Sequence, residues 1–437
     1  MWYSILFTSI LLAAGLAQHK AHADEGPTQA ELNAAAQSTE WLLPNRDYAG
    51  RRSVDLKQID HQNAAELRPV CIYQAGDLRP FQTNPLVYHG VMYVTTPSST
   101  IALDAATCAV RWRHDWQSKA RNAEVKVGEV VVNPYRSRGA ALKDGKLIRS
   151  TSDGYLIALD SDTGKLVWEK HVAEADKYEL MIMAPLVYED LVISGIGISE
   201  YGVKGWIGAF RLTDGEPVWR FNTVPGEGEP GFDTWGSTDE TPRGGGGIWV
   251  TPSLDAEKGL LYVAVGNPAP DFFGGVRMGK NLYTAAMVVL DAKSGKLQWF
   301  RQFVPHDLHD WDLTITNPLY STVIGGAHRP VVSVAGKDGV LARSTGKVTS
   351  SSMKCPSRHL PTRTRSPLLK ASTPVLVSSA ASNGALLPSV RRWTCLSRPR
   401  WIGAESSRRR TSCGTSRGSN IWADHSHSIP SGSRAVG

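Results

Sequence analysis

The sequence predicts an all-β fold made of small antiparallel sheets stacked radially, and three observations point to it. One pattern recurs: Ala158-Leu-Asp-Ser-Asp-Thr-Gly-Lys-Leu-Val-Trp168 has close relatives at Ala102 to Trp112, Ala209 to Trp219 and Val289 to Trp299, and a damaged fifth copy starts near Arg343. Each copy reads as a hairpin, with alternating apolar residues, a turn built on Asp, Thr or Ser and Gly, then a strand ending in Trp. Between copies lie further alternating runs, such as Pro85 to Val94 and Ala184 to Ile193, with the length of paired strands. A sheet of this size cannot bury both faces alone, so its neighbours must cover them. The tryptophans are 56, 51 and 80 residues apart, so the units vary through insertions, as loops do.

At 437 residues the chain is long enough for a sizeable core, in one large all-β domain or in several small ones. The formal charge of +7 suggests an acidic partner only until it is divided by region. Residues 349–437 hold 14 Lys+Arg against 2 Asp+Glu, and residues 1–348 hold 34 against 39. The basic character therefore belongs to the tail.

Residues 1–23 contain an apolar run from Ile5 to Ala17, then Ala21-His22-Ala23, which reads as a signal peptide cleaved after Ala23. The run is shorter than the about 20 residues that a spanning helix needs, which favours export over an anchor. Cys71, Cys108, Cys355, Cys395 and Cys413 lie far apart with no CxxC pair, and suggest neither a zinc site nor a disulfide-dense scaffold.

Three polar positions sit beside turn residues, separated by long stretches of strand. Glu200 lies in Gly197-Ile-Ser-Glu-Tyr-Gly, Asn267 in Gly266-Asn-Pro-Ala-Pro270, and Asp310 in Pro305-His-Asp-Leu-His-Asp-Trp-Asp312. Carboxylate and amide oxygens are the hard ligands that a calcium-class ion prefers, and loops from different sheets can converge on one axis. Singly, each is an ordinary turn residue; together they read as a site.

The turn-plus-Trp repeat resembles the tryptophan-docking motif of the eight-bladed quinoprotein β-propellers, and residues 24–348 look like an incomplete copy of that fold. Residues 200–312 resemble the methanol/ethanol family of pyrroloquinoline quinone (PQQ) dehydrogenases. The resemblance implies that Glu200 and Asn267 are metal ligands and that Asp310 is the base and a possible third ligand. Asp312, two residues on, matches the extra carboxylate of members that use a lanthanide ion in place of calcium. It also implies that PQQ stacks on Trp249, in Gly244-Gly-Gly-Gly-Ile-Trp249, with Arg138 and Lys337 as cationic contacts and Gln82 at a position where the family has Glu. The implied reaction is oxidation of a small alcohol, with hydride passing to C5 of PQQ and electrons to an external acceptor. The chain has no CxxCH, so that acceptor is a separate cytochrome c or quinone. The implied compartment is the periplasm.

Departures from the family are specific. The adjacent cysteines that cover PQQ in many members are missing, the neighbourhood reading Val131-Val-Asn-Pro-Tyr-Arg136, and a family Thr corresponds to Ile182. Weaker cofactor binding, or a divergent subgroup, is the expectation. A rival reading is a non-catalytic envelope propeller, which gives no reason for Asn267 or for the His306 to Asp312 cluster. Nucleic-acid binding by the Arg/Ser-rich tail is set aside because an exported chain leaves nucleic acid behind. The 89 residues after Val348 include 20 Ser, and the repeat stops at their border. Reading the third base of each codon with the first two of the next permits Glu-Trp around Ser382-Asn383-Gly384 and Val-Asp-Trp-Cys over Arg400 to Ala404, strings that resemble the family's. The expectation is a frame-shifted tail, and a product that folds poorly for want of its last blades.

Overall fold

The structure, a computed structural model, describes residues 26–119, 125–127, 130–132, 135–236, 243–313 and 317–345. The expected signal peptide and the tail after Val348 lie outside the described residues. The chain divides into a unit from Met1 to Pro388 and one from Ser389 to Gly437, the second wholly outside them.

Four four-stranded antiparallel sheets follow one another along the chain. The first has strands Leu86–Tyr88, Val91–Thr95, Ser99–Asp104 and Val110–Asp115; the second has Ala141–Lys143, Lys146–Ser150, Tyr155–Asp160 and Leu166–His171. The third has Leu186–Tyr188, Leu191–Gly195, Trp206–Arg211 and Pro217–Asn222; the fourth has Ser253–Asp255, Leu260–Ala264, Ala286–Asp291 and Leu297–Gln302. A fifth sheet has three strands, Leu319–Ile324, Ala327–Ala335 and Leu341–Ser344. Helix is confined, among the described residues, to Gln29–Asn33 and four short 3-10 turns. The fold is a β-propeller and these sheets are its blades.

The repeated motif explains how blades join. In the third hairpin turn of the second blade, Asp160 accepts from both the backbone and the hydroxyl of Thr163, and Gly164 closes the turn at φ +70. A bulge between the third and fourth strands then sets Trp168 opposite Ala158. The same bulge pairs Trp112 with Ala102, Trp219 with Ala209 and Trp299 with Val289. Each of the first three rings reaches the turn of the next blade: Nε1 of Trp112, Trp168 and Trp219 donates to the carbonyls of Ser161, Leu212 and Ala292 at 2.8, 3.1 and 3.0 Å. Glycine is required where the ring lands, since a Cβ on Gly164 would sit 2.5 Å from Trp112 and one on Gly295 2.5 Å from Trp219.

Burial runs from the inside outward. The third strands Trp206–Arg211 and Ala286–Asp291 are buried but for their last residue, whereas the fourth strands Pro217–Asn222 and Leu297–Gln302 are exposed or half-buried throughout. Cys108 holds the first blade's left-handed turn position, at φ +59, and is bonded to Cys71. That pairing was not legible in the cysteine spacing. It pins residues 71–75 beside the first blade, where Tyr73 and Ala75 pack on Val94, Ile101 and Leu103.

Candidate functional site

In an antiparallel meander the start of the first strand and the end of the second lie at the same end of the sheet. Every residue singled out from the sequence occupies one of those two places. Gln82, Arg138, Ile182, Trp249 and the pair Asp310 and Asp312 lead into the first strands of the five blades in turn. Glu200, Asn267 and Lys337 follow the second strands of the third, fourth and fifth. The 80-residue gap before Trp299 comes partly from residues 265–285, inserted between the second and third strands of the fourth blade, and that insertion carries Asn267.

Backbone bonds tie these loops to one another. Arg138 N–H donates to Ile182 O at 3.0 Å, and Asn84 N–H donates to Arg138 O at 2.9 Å. Gly266 N–H donates to Gly247 O, and Gly247 N–H to Ser199 Oγ, both at 2.9 Å, which joins the Glu200, Trp249 and Asn267 loops.

Around Asp312 the contacts are direct. Its Oδ1 accepts from the Asn267 N–H at 2.6 Å, and its Oδ2 pairs with Lys337 Nζ at 2.7 Å. The same ammonium lies 2.8 and 2.9 Å from the two oxygens of Asp310. Asp310 is held at φ +60, in the left-handed region that aspartate tolerates better than most side chains. Burial pushes the Asp312 carboxyl up to about 6; Lys337 opposes that shift and Asp310 reinforces it. Burial alone would lower Lys337, but the two carboxylates outweigh it and the ammonium is held above its ordinary value. The Lys337 ammonium and the Asn267 N–H both face the Asp312 carboxyl and offset its burial.

Asp271 is a site residue that sequence reading missed. Its Oδ1 accepts from Asn267 Nδ2 at 2.8 Å. Burial, with the charges of Glu200 and Asp310, pushes its carboxyl up to about 6, which places it in the field of both. Asn317, fully buried just ahead of the fifth blade's first strand with both side-chain polar atoms unpartnered, was not singled out either. Neither stands in a motif that spacing could mark. Glu200 is exposed, its carboxylate accepting from the Ser199 N–H at 3.1 Å. Among the described residues no three His, Cys, Asp or Glu side chains form a group that could hold a metal ion.

The guanidinium of Arg138 lies over the Trp249 ring, 4.7 Å from its centre. Burial, then the charges of Arg136 and Arg52, bring Arg138 down to about 10. Arg138 Nε and Gln82 Oε1 are buried with no partner. Ile182 packs with Tyr135, Leu180 and Ile198 in an apolar cluster against which Trp249 lies, and its backbone carbonyl accepts from Arg138.

The family model for the β-propeller domain of glucose/ethanol/alcohol dehydrogenases, the PQQ family, matches residues 41–367, most of the chain. The chain belongs to this PQQ dehydrogenase family. It is 35% identical over 367 residues to quinohemoprotein alcohol dehydrogenase ADH IIB of Pseudomonas putida, covering 79% of this chain and 52% of that protein. It is 30% identical over 334 residues to the lanthanide-dependent methanol dehydrogenase of Methylacidiphilum fumariolicum, covering 71% and 54%. The crystal structure of quinohemoprotein alcohol dehydrogenase from Comamonas testosteroni superposes with a TM-score of 0.64 at 31% identity, over 75% of this chain and 52% of that one. The chain spans about half the length of the curated relatives it matches.

The residues present fit the family's cofactor. An aromatic ring with a guanidinium over it and an unpartnered guanidinium N–H suit a flat polyanion, and the bare Asn267 Oδ1 suits a hard cation.

Proposed function

We propose that this site oxidises an alcohol to an aldehyde or ketone with PQQ and a calcium or lanthanide ion, in an exported, periplasmic protein. PQQ, when bound beside the ion, supplies a quinone carbonyl that accepts hydride at C5. Asp310 takes the hydroxyl proton on its carboxylate as the hydride leaves the alcohol carbon. Lys337 fixes that carboxylate in place, because its ammonium donates to both of its oxygens. Trp249 and Arg138 hold the flat anionic group, and Glu200 and Asn267 offer oxygens to the ion. Asp312 stands by as a further carboxylate, although both its oxygens already have protein partners. Electrons then leave to a separate cytochrome c or quinone.

The observation that carries this reading is the single ammonium of Lys337 bridging Asp310 and Asp312 beside the Asn267 backbone. A turn-capping Asp310 would need no such cation. In the test, PQQ with calcium or lanthanum raises the melting temperature of the chain. Asp310→Asn keeps that shift while alcohol-dependent reduction of an artificial acceptor falls about 100-fold or more. Turnover near that of the parent rejects Asp310 as base, and the absence of any shift in the parent favours a non-catalytic propeller.

A further inference from the structure

The fold treats the two polar atoms of the Asn267 side chain differently. The residue is fully buried; Nδ2 donates to Pro268 O at 3.2 Å and to Asp271 Oδ1 at 2.8 Å, while Oδ1 has no partner. A buried acceptor left bare costs about 1–3 kcal/mol, so an ordinary core asparagine would turn its amide over to relieve it. Here turning over would set Oδ1 against a carbonyl and a carboxylate, two acceptors with no hydrogen to offer. Of these the carboxylate makes the shorter contact and carries the charge, so it sets the choice. The backbone side of the same residue is fixed independently, through its N–H to Asp312.

We propose that Asp271 is a positioning residue: it holds the Asn267 amide by its nitrogen, so that Oδ1 is presented to a bound cation. The inference rests on the metal-site reading above, since a hard cation takes the oxygen of an amide and not its NH2 group. It adds a residue that the ligand set implied by the resemblance does not contain. Asp271 is four residues beyond Asn267, across Pro268 and Pro270.

Calorimetric titration of the metal-free full chain with calcium chloride and with lanthanum chloride tests this, alongside Asn267→Ala, Asp271→Ala and Asp271→Asn. The parent binds, Asn267→Ala loses the site, and Asp271→Ala binds about 10- to 100-fold more weakly, the usual cost of removing a group that orients a ligand. Asp271→Asn stays close to the parent, because its carbonyl oxygen still accepts from Nδ2. Asp271→Leu keeps the bulk without the acceptor and repeats the test if the alanine variant unfolds, with metal-free melting temperatures as the control. Parent-like affinity in Asp271→Ala or Asp271→Leu overturns the proposal while leaving the metal site standing. Equal weakening in Asp271→Asn overturns it in favour of a charge effect or direct ligation. A parent that binds neither cation, or that binds with no loss in Asn267→Ala, removes the metal-site reading and this inference with it.

Discussion

The third and fifth blades are made of the same kind of strand and end in different states. In the third, strands Leu191–Gly195 and Trp206–Arg211 are buried but for Arg211. In the fifth, Leu341–Ser344 alternates between exposed and half-buried, and the first four residues of Ala327–Ala335 are exposed. The third blade receives Trp168 at Leu212 and sends Trp219 to Ala292, so it is docked on both sides. The fifth meets its predecessor through Trp299, Val332 and Val334, in a small cluster apart from the main core. A blade therefore owes its burial to its neighbours more than to its own sequence, as in other repeat folds.

The largest test of this contrast is to remove one ring from each kind of seam. Trp219→Ala deletes the ring over Gly295 and its bond to Ala292, and should cost about 3–5 kcal/mol in denaturant unfolding. Trp299→Ala, at a ring that is half-buried like Trp219 but has no bond to a following blade among the described residues, should cost less than half as much. Equal losses would mean that the fifth blade is docked as firmly as the third. A smaller contrast lies in two glycines of similar backbone conformation. Gly295→Ala drives a Cβ into the Trp219 ring and should cost about 1–3 kcal/mol, whereas Gly325→Ala meets nothing within 4 Å and should show only the left-handed strain, about 1 kcal/mol. Similar melting shifts would show that the seam can give way. The smallest effect is expected at Lys170, which pairs with Glu216 across the second and third blades at 2.5 Å with both side chains partly exposed. Lys170→Ala should cost under about 1 kcal/mol, and high salt should erase the difference; a larger, salt-resistant loss would make that ion pair a third element of the seam.

Much of this protein was readable as a sequence, because a repeat that must pack on its own copy writes the same local chemistry each time. Asp, Thr or Ser, Gly and Trp recur at fixed offsets, and those offsets set the turn, the left-handed closing residue and the ring's reach to the next blade. The residues proposed for the site share a related feature: they stand at the two strand ends that every blade directs to one side. What the sequence could not determine is what depends on contacts between distant loops. Cys71 pairs with Cys108 because the segment before the first blade lies along it, not because of any spacing. Lys337 joins Asp310 to Asp312 only when the fifth blade's second strand ends beside its own lead-in loop. The aim of the Asn267 oxygen was decided last, since an amide is symmetric in shape and its neighbours alone, Pro268 O and Asp271, tell its nitrogen from its oxygen.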